Sequence, residues 1–265
     1  RLPFPAWFYP GGGWVRPALL ARHFLDQAAP RAAFRGGIEV ARLQRLGDRW
    51  FVLGVAGQVL EQADVVVLAN AGDALRLLEA PAWSIQPVRG QISSLPVGSL
   101  PVSPRIPVAG ASYLLPQIDG RLVLGATAQA GDLDLTLRDE DHLLNLKQLE
   151  RLTGCAADID LAAMQGRTGV RWVAYDRLPV VGAVPDLVAP AMGRPLNQPR
   201  FVPRVPGLFV FTALGSRGIT WCALGAQVLA SCITGAPSPL EASLLDAIDP
   251  ARFIARHARR GPPKN

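Results

Sequence analysis

The stretch Gly207-Leu208-Phe209-Val210-Phe211-Thr212-Ala213-Leu214-Gly215-Ser216-Arg217-Gly218-Ile219 decides the fold. Its apolar run reads as a buried strand, and Gly215 to Gly218 as a turn into an apolar helix that continues to Thr234. A strand, a glycine turn and a helix in that order leave backbone N–H groups at a helix N-terminus, where anions are stabilised. Gly235-Ala236-Pro237 stops the helix. A basic helix with Arg252, Arg256, His257, Arg259 and Arg260 closes the chain. It reads either as a holder of phosphates or as a solvated face.

Working outward, Ala63-Asp64-Val65-Val66-Val67-Leu68-Ala69-Asn70-Ala71-Gly72 has a continuous apolar run ending in small residues. Such a run predicts a fully buried, parallel strand. Upstream, Gly37 to Leu46 and Arg49 to Val55 form a hairpin about Gly47-Asp48, with a third run from Val59 to Gln62. Near the start, Phe8-Tyr9-Pro10-Gly11-Gly12-Gly13-Trp14 reads as a short strand running into a glycine turn. Arg16-Pro17 then opens a helix, with proline at its first position and Leu19, Leu20, His23, Phe24 and Gln27 at helical spacing. Downstream, Val88 to Ile92, Ser112 to Pro116 and Arg121 to Thr127 are strands, and Asp119-Gly120 is a hairpin turn. Asp139 to Leu152 is a helix with acids in its first turn and Gly154 just past its end. Val170 to Ala174 is a strand, and Pro185 to Pro206 a surface loop. No internal repeat is present, and the class these elements predict is α/β.

Composition removes several alternatives. With 49% hydrophobic and 18% charged residues in 265, the chain is neither disordered nor too small for a core. Glycine (26) and proline (24) are too frequent for a helix bundle and show no collagen period. Ile219 to Ile233 is interrupted by Thr220, Gln227 and Ser231, so it predicts a buried helix rather than a membrane span. No basic-plus-apolar leader opens the sequence, and Cys155, Cys222 and Cys232 have no metal spacing, so a reducing cytoplasm is expected. The three histidines are far apart, and no P-loop, G-x-S-x-G or G-x-G-x-x-G occurs. No metal site and no membrane association are expected. Lysine occurs only at Lys147 and Lys264, so 25 of the 27 basic residues are arginine and the net charge is +6. Arginine forks suit phosphate and carboxylate partners, although codon bias also accounts for the choice of arginine.

The segments "ADVVVLANAG", "PVRGQI", "SYLLPQIDGRLVLGAT", "GVRW…DRLPVVG" and "GLFVFTALGSRGIT" occur in the order found in the D-amino-acid oxidase and glycine oxidase family of flavoproteins, which this chain resembles over nearly its whole length. "FYPGGGWVRP" before a helix, "LPVVGAVPD" and "ALGSRGITWCALGAQVLA" resemble one branch most closely. That branch is the oxidoreductase half of the bifunctional tRNA-modifying protein of MnmC type. The resemblance implies an incomplete FAD-binding Rossmann-like domain of α/β class, with an inserted antiparallel-sheet substrate domain of mixed α+β character. Residues 1–84 and 166–265 would belong to the FAD domain and 85–165 to the substrate domain. The family's first βαβ unit and its glycine fingerprint are absent, and the chain starts at Arg1, so a fragment or processed product is expected, with weak hold on FAD.

The implied reaction converts 5-carboxymethylaminomethyl(-2-thio)uridine at the tRNA wobble position to 5-aminomethyl(-2-thio)uridine and glyoxylate. The flavin carries the hard chemistry, and dioxygen reoxidises it. The implied partners are tRNA and the product glyoxylate. Arg171 matches the arginine that clamps the substrate carboxylate; the plainer reading is an ion pair on a strand. Tyr113 matches an active-site aromatic, or is a core tyrosine with a wet hydroxyl. Gly215, Ser216, Arg217, Gly218 and Ile219 match the turn that meets the flavin ring. Asn70, Ala71 and Gly72 match the small-residue turn that lets FAD approach the backbone. Gly11 to Gly13 lie beside the substrate entrance or form a simple turn, and Arg89 and Gln91 point at the flavin or into the sheet. Two other readings stay open: an oxidase of free glycine, sarcosine or a D-amino acid, and a non-catalytic remnant that binds tRNA or a partner without flavin.

Overall fold

The computed structural model describes residues 2–79, 83–101, 103–189 and 195–260. In chain order its first elements are helix α1 (Pro17–Ala28), strands β1 (Val40–Leu46), β2 (Arg49–Gly54), β3 (Val59–Ala63) and β4 (Val66–Leu68), and helix α2 (Asp73–Leu77). Strands β5 (Ile85–Pro96), β6 (Val108–Ala109), β7 (Tyr113–Leu114), β8 (Arg121–Gly125) and β9 (Gln129–Ala130) lead to helix α3 (Asp139–Thr153). Strands β10 (Gln165–Ala174), β11 (Val180–Pro185) and β12 (Arg204–Thr212) are followed by helices α4 (Gly218–Thr234), α5 (Ala242–Ile248) and α6 (Arg252–Arg260). The chain divides into two units, one of Arg1–Ala33 with Pro87–Val170 and the other of Phe34–Gln86 with Arg171–Asn265. The sequence reading placed 1–84 in one piece. Instead, residues 2–33 group with the 87–170 unit, where Arg16 donates to both carboxylate oxygens of Asp119 at 2.8 Å.

The first unit is built on one sheet with strand order β10-β5-β8-β7-β6, and β9 pairs with β5. The expected turn forms at Asp119-Gly120, where both residues take positive φ and Ile118 bridges Arg121. Alternation along β8 turns Leu122 and Leu124 inward, against Leu95, Leu114 and Leu149. Helix α3 ends where expected: Gly154 is left-handed (φ 71°) and its N–H returns to the Glu150 carbonyl. Its buried side is mostly polar. Asp141 pairs with the fully buried Arg89, and His142 Nδ1 lies 2.8 Å from Ser93 Oγ. The Phe8 to Trp14 segment is not a strand. An apolar run becomes a strand only with a ladder partner, and here Gly12 N–H bonds back to the Tyr9 carbonyl in a local turn instead.

The second unit has two sheets, antiparallel β1-β2-β3 and the sheet β11-β12-β4. The hairpin at Gly47-Asp48 forms as read, with Leu46 opposite Arg49. In the second sheet β12 runs parallel to β4, pairing Leu208 with Val66 and Val210 with Leu68. Strand β12 is central, and both its faces are packed. Leu208 and Val210 join Trp50, Leu68 and Val180 on one side. Phe209 packs with Val181, Val228, Leu229 and Ile248 on the other. Gly207 is dictated by close approach: at φ 70°, a Cβ there would stand 2.3 Å from the Asp64 carbonyl oxygen.

Three expectations change in this unit. Strand β4 lies at a sheet edge, so Val65 and Val67 are exposed rather than fully buried. Helix α4 is covered only on the side facing β11 and β12, and Ile219, Ala223, Ala226, Ala230 and Ile233 are exposed. The segment Pro185 to Pro206 is not wholly surface loop, since Pro199 and Val202 are buried and β12 starts at Arg204; residues 190–194 lie outside the described residues. No described helix is long and apolar enough to cross a membrane.

The basic tail does not present all its charge to solvent. Arg252 is 2% exposed; it donates to Asp176 through Nε (2.8 Å) and Nη2 (3.0 Å) and to the Leu178 carbonyl. Arg256 joins the same carboxylate at 2.7 Å, which leaves His257 and Arg259 exposed; the Arg260 side chain lies outside the described residues. Burial opposes the charge on Asp176, yet the hydrogen bonds and charge of Arg252 hold its carboxyl below the ordinary carboxylate range. Asp176→Asn strips a buried guanidinium of its counter-ion and should cost about 3 kcal/mol of stability at pH 7. Because the folded carboxyl titrates below its unfolded value near 4, the contribution is complete above about pH 4 and lost as pH falls through the folded value. Urea midpoints should therefore differ between wild type and variant at pH 7 and converge toward pH 3. Equal midpoints at pH 7 would contradict this role.

Candidate functional site

Three chain segments converge in the unit of residues 34–86 and 171–265. The first is the turn that follows β4. Ala71 has φ 54°, and its carbonyl accepts the Thr212 hydroxyl at 2.7 Å, which ties the turn to the end of β12. Gly72 is the N-cap of α2, and a Cβ there would lie 1.9–2.2 Å from the indole of Trp172. Trp172 belongs to the second segment, the end of β10. Its neighbour Val173 bridges Leu214 and stands 3.5 Å from where a Gly215 Cβ would be. Leu214 and Gly215 belong to the third segment, the turn between β12 and α4. Ligand sites in open α/β sheets form beyond the carboxyl ends of strands, and the carboxyl ends of the parallel pair β4 and β12 meet here.

The third segment is shaped for an electron-rich partner. Ala213 and Gly215 both have φ 56°, and Gly215–Arg217 makes a single 3-10 turn before α4. No side chain caps α4, and its first turn holds no acid. The first N–H groups of a helix have no partner within it, and they carry partial positive charge. Ser216 and Arg217 are exposed, as is half of Ile219. The residues read from the sequence as one turn, Gly215 to Ile219, are thus brought together with the Asn70–Gly72 turn.

The structure gives several candidate residues work inside the fold. The Asn70 amide donates to Asp73 at 3.1 Å. Hydrogen bonds from Arg76 hold the Asp73 carboxyl below its usual range, and Arg76 also donates to the carbonyls of Val40 and Ala41. The face of Gly72 without a side chain is covered by Trp172, so its small size is needed for packing. Arg171 lies two residues before Val173, and strand alternation sets it on the face that meets the Gly215 turn. Tyr113 stands in the other unit, half-buried on β7 between Ala109 of β6 and Gly125 of β8. Arg89 and Gln91 point into their own unit. Arg89 donates to the Thr136 carbonyl at 2.6 Å, and Gln91 accepts from Arg138 N–H and donates to the Arg138 carbonyl. Trp172 and Thr212 were missed as positioning residues. The only signals they left were a large aromatic beside Arg171 and a hydroxyl at the end of an apolar strand.

Residues 2–232 match the family described as FAD dependent oxidoreductase. The chain is 52% identical over 265 residues to the tRNA 5-methylaminomethyl-2-thiouridine biosynthesis bifunctional protein MnmC of Methylibium petroleiphilum, covering 95% of this chain and 40% of that protein. It is 44% identical over 261 residues to the protein of the same name from Burkholderia thailandensis, covering 96% and 40%. The chain therefore spans about 40% of the length of these relatives. Among solved structures, iminodiacetate oxidase from Chelativorans sp. BNC1 superposes with TM-score 0.67 at 22% identity, over 88% of this chain and 58% of that one. Glycine oxidase from Geobacillus kaustophilus does so with TM-score 0.60 at 20% identity, over 80% and 51%. These two likenesses establish the fold.

The Gly72–Trp172 contact is open to a direct test. Gly72→Ala drives a methyl into the indole and should cost about 1–3 kcal/mol, the range for overpacking. In a double-mutant cycle with Trp172→Leu, the alanine should cost much less once the ring is gone. Additive losses in urea unfolding would show that the two residues do not touch.

Proposed function

The chain belongs to the FAD dependent oxidoreductase family, and from that premise we propose that it is the oxidase portion of a bifunctional tRNA-modifying protein. Its substrate would be 5-carboxymethylaminomethyl(-2-thio)uridine at the wobble position of tRNA, and its products 5-aminomethyl(-2-thio)uridine and glyoxylate. The observation that carries this reading is the 52% identity, over 95% of the chain, to a protein named for tRNA 5-methylaminomethyl-2-thiouridine biosynthesis. A tRNA substrate would put this activity in the cytoplasm. Nothing in the reaction asks for a metal, and the second activity that the word bifunctional in the relatives' name points to is not assigned to these residues.

The site fits the ring end of FAD. The Gly215–Ile219 turn offers an uncapped helix start and a glycine with positive φ, a combination that suits a flat, electron-rich group. When bound, FAD supplies the two-electron oxidation of the substrate amine. The chain's own residues bind and orient. Arg171 holds the carboxymethyl carboxylate with its planar fork, a geometry a point charge cannot reproduce. Tyr113 is the active-site aromatic that the family resemblance assigns, on β7 of its own unit. The Asn70–Gly72 turn, fixed by Thr212 and Trp172, keeps the backbone beyond β4 in place beside the Gly215 turn.

The hold on the rest of FAD is weak. The chain has no G-x-G-x-x-G, the cradle for a pyrophosphate. One helix N-terminus contributes about 0.3–2 kcal/mol toward an anion, against about 8.2 kcal/mol for micromolar binding. Isothermal titration should give a dissociation constant weaker than micromolar, and a submicromolar value would contradict this.

With FAD at saturating concentration, the chain should release glyoxylate from tRNA carrying the carboxymethylaminomethyl group, faster than from sarcosine or glycine. Faster turnover of the free amino acids would instead identify an amino-acid oxidase, and release from none of them a non-catalytic protein. Arg171→Lys should lower turnover on the tRNA about ten- to a hundredfold, the value of a charge-assisted hydrogen bond, with an unchanged melting temperature. Unchanged kinetics would remove the clamp assignment.

A further inference from the structure

Helix α6 and the turn it holds make a basic face in the unit of residues 34–86 and 171–265. Arg252, Arg256 and Arg259 recur at i, i+4 and i+7, so they share one side of α6. Asp176 takes Arg252 at 2.8 Å and Arg256 at 2.7 Å. Arg259 is exposed and reaches only the Ala255 carbonyl of its own helix. The turn around Asp176 is fixed by its own bonds. Arg177 N–H returns to the Ala174 carbonyl, Leu178 N–H donates to the Asp176 carboxylate, and the Leu178 carbonyl accepts from Arg252. With Asp176 turned in toward α6, its two neighbours are left outside: Tyr175 is 84% exposed, and Arg177 is exposed as well.

The charge of this face says what kind of partner it takes. Helix α6 contains no acid, and the acids shortly before it, Asp246 and Asp249, are engaged by Arg200 and Arg204. Among the described residues, Asp176 is the one carboxylate that pairs with the arginines of α6. Four arginines, 177, 252, 256 and 259, thus stand with a single carboxylate, an excess of three positive charges on one short helix and one tight turn. Like charges this close repel, and a row of phosphates relieves the repulsion while releasing its own counter-ions. A lone carboxylate would leave most of the excess in place. Guanidinium forks also match phosphate oxygens in pairs. The exposed Tyr175 ring supplies a stacking platform, and basic groups flanking an aromatic suit nucleic acid. Strand β10 carries Arg171 four residues before Tyr175, about 13 Å in extended chain, so one segment bears both this face and the proposed carboxylate clamp.

We infer that α6 and the Tyr175–Arg177 turn form a docking face for RNA, with phosphates on Arg177, Arg256 and Arg259 and an unpaired base against Tyr175. The inference rests on the RNA reading above and adds to it where the RNA backbone is held. Preference for tRNA over free amino acids then draws on contacts outside the reacting group, since the carboxylate clamp serves both.

The test uses the full chain and an unmodified synthetic anticodon stem-loop RNA, with binding followed by fluorescence anisotropy over a series of salt concentrations. Arg177→Gln/Arg259→Gln removes two exposed charges and leaves the Asp176 pairs intact, so the fold should be unaffected. It should weaken binding about tenfold at low salt and flatten the salt dependence by about two counter-ions. Arg177→Lys/Arg259→Lys keeps the charge and should restore the slope. Tyr175→Ala should weaken binding about tenfold with the slope unchanged, the loss expected for a stacked base. If wild type binds the RNA and neither the glutamine variant nor Tyr175→Ala changes affinity or slope, the face is overturned while the RNA reading stands. If the glutamine variant melts earlier yet binds like wild type, these arginines serve only the end of the helix, and the inference is overturned. If phosphatidylglycerol vesicles bind as tightly as the RNA and Tyr175→Ala weakens neither, the partner is an anionic membrane and the inference is overturned. If wild type does not bind the RNA, the RNA reading and the face both fall.

Discussion

The parallel pairing of β12 with β4 is the constraint on which the rest depends. It joins residues about 140 positions apart, and hydrogen bonds alone specify it poorly because a register slip would preserve most of them. Close contacts specify it better. The Asp64 carbonyl fits only over a glycine at 207, the Thr212 hydroxyl reaches the Ala71 carbonyl, and Leu68 and Val210 fill one core with Trp50. A shift by one residue would turn Leu208 and Val210 to the other face of the sheet. Once the register is set, the turns beyond both strands have to lie side by side, and the site follows from that adjacency.

Much of this was legible from local chemistry. The hairpins at Gly47-Asp48 and Asp119-Gly120, the stop of α3 at Gly154 and of α4 at Gly235, and the strand–turn–helix at 207–234 all rest on glycine and on hydrophobic period, which act within a few residues. What was not legible depends on distant partners. Phe8 to Trp14 is as apolar as a strand but has no ladder beside it. Val67 sits in an apolar run yet is exposed, because β4 lies at the edge of its sheet. The grouping of residues 2–33 with 87–170 left no mark in composition. At the site, the Gly215–Ile219 turn was readable as one piece, whereas its support by Trp172, Val173 and Thr212 needed the three-dimensional arrangement.

Arginine shows the same division. The sequence contains 27 basic residues and invites a reading in terms of polyanions. Several of them instead hold the protein together. Arg89 is buried with Asp141, Arg252 with Asp176, and Arg204 donates to Asp249 and to the Ala183 carbonyl. The fork suits these positions because it satisfies a carboxylate and backbone carbonyls at once. The number of arginines available to a ligand is therefore smaller than the count of basic residues suggests, and Arg217 at the start of α4 is one that stays exposed.

The central claim is that the start of α4 faces the flavin of a family defined by FAD. Arg217→Asp tests it most directly. An acid at a helix N-terminus favours the helix, so the melting temperature should hold or rise. The same acid repels an electron-rich ring, so FAD affinity measured by isothermal titration should fall about tenfold relative to wild type. A variant with an intact fold and unchanged FAD affinity would contradict the account.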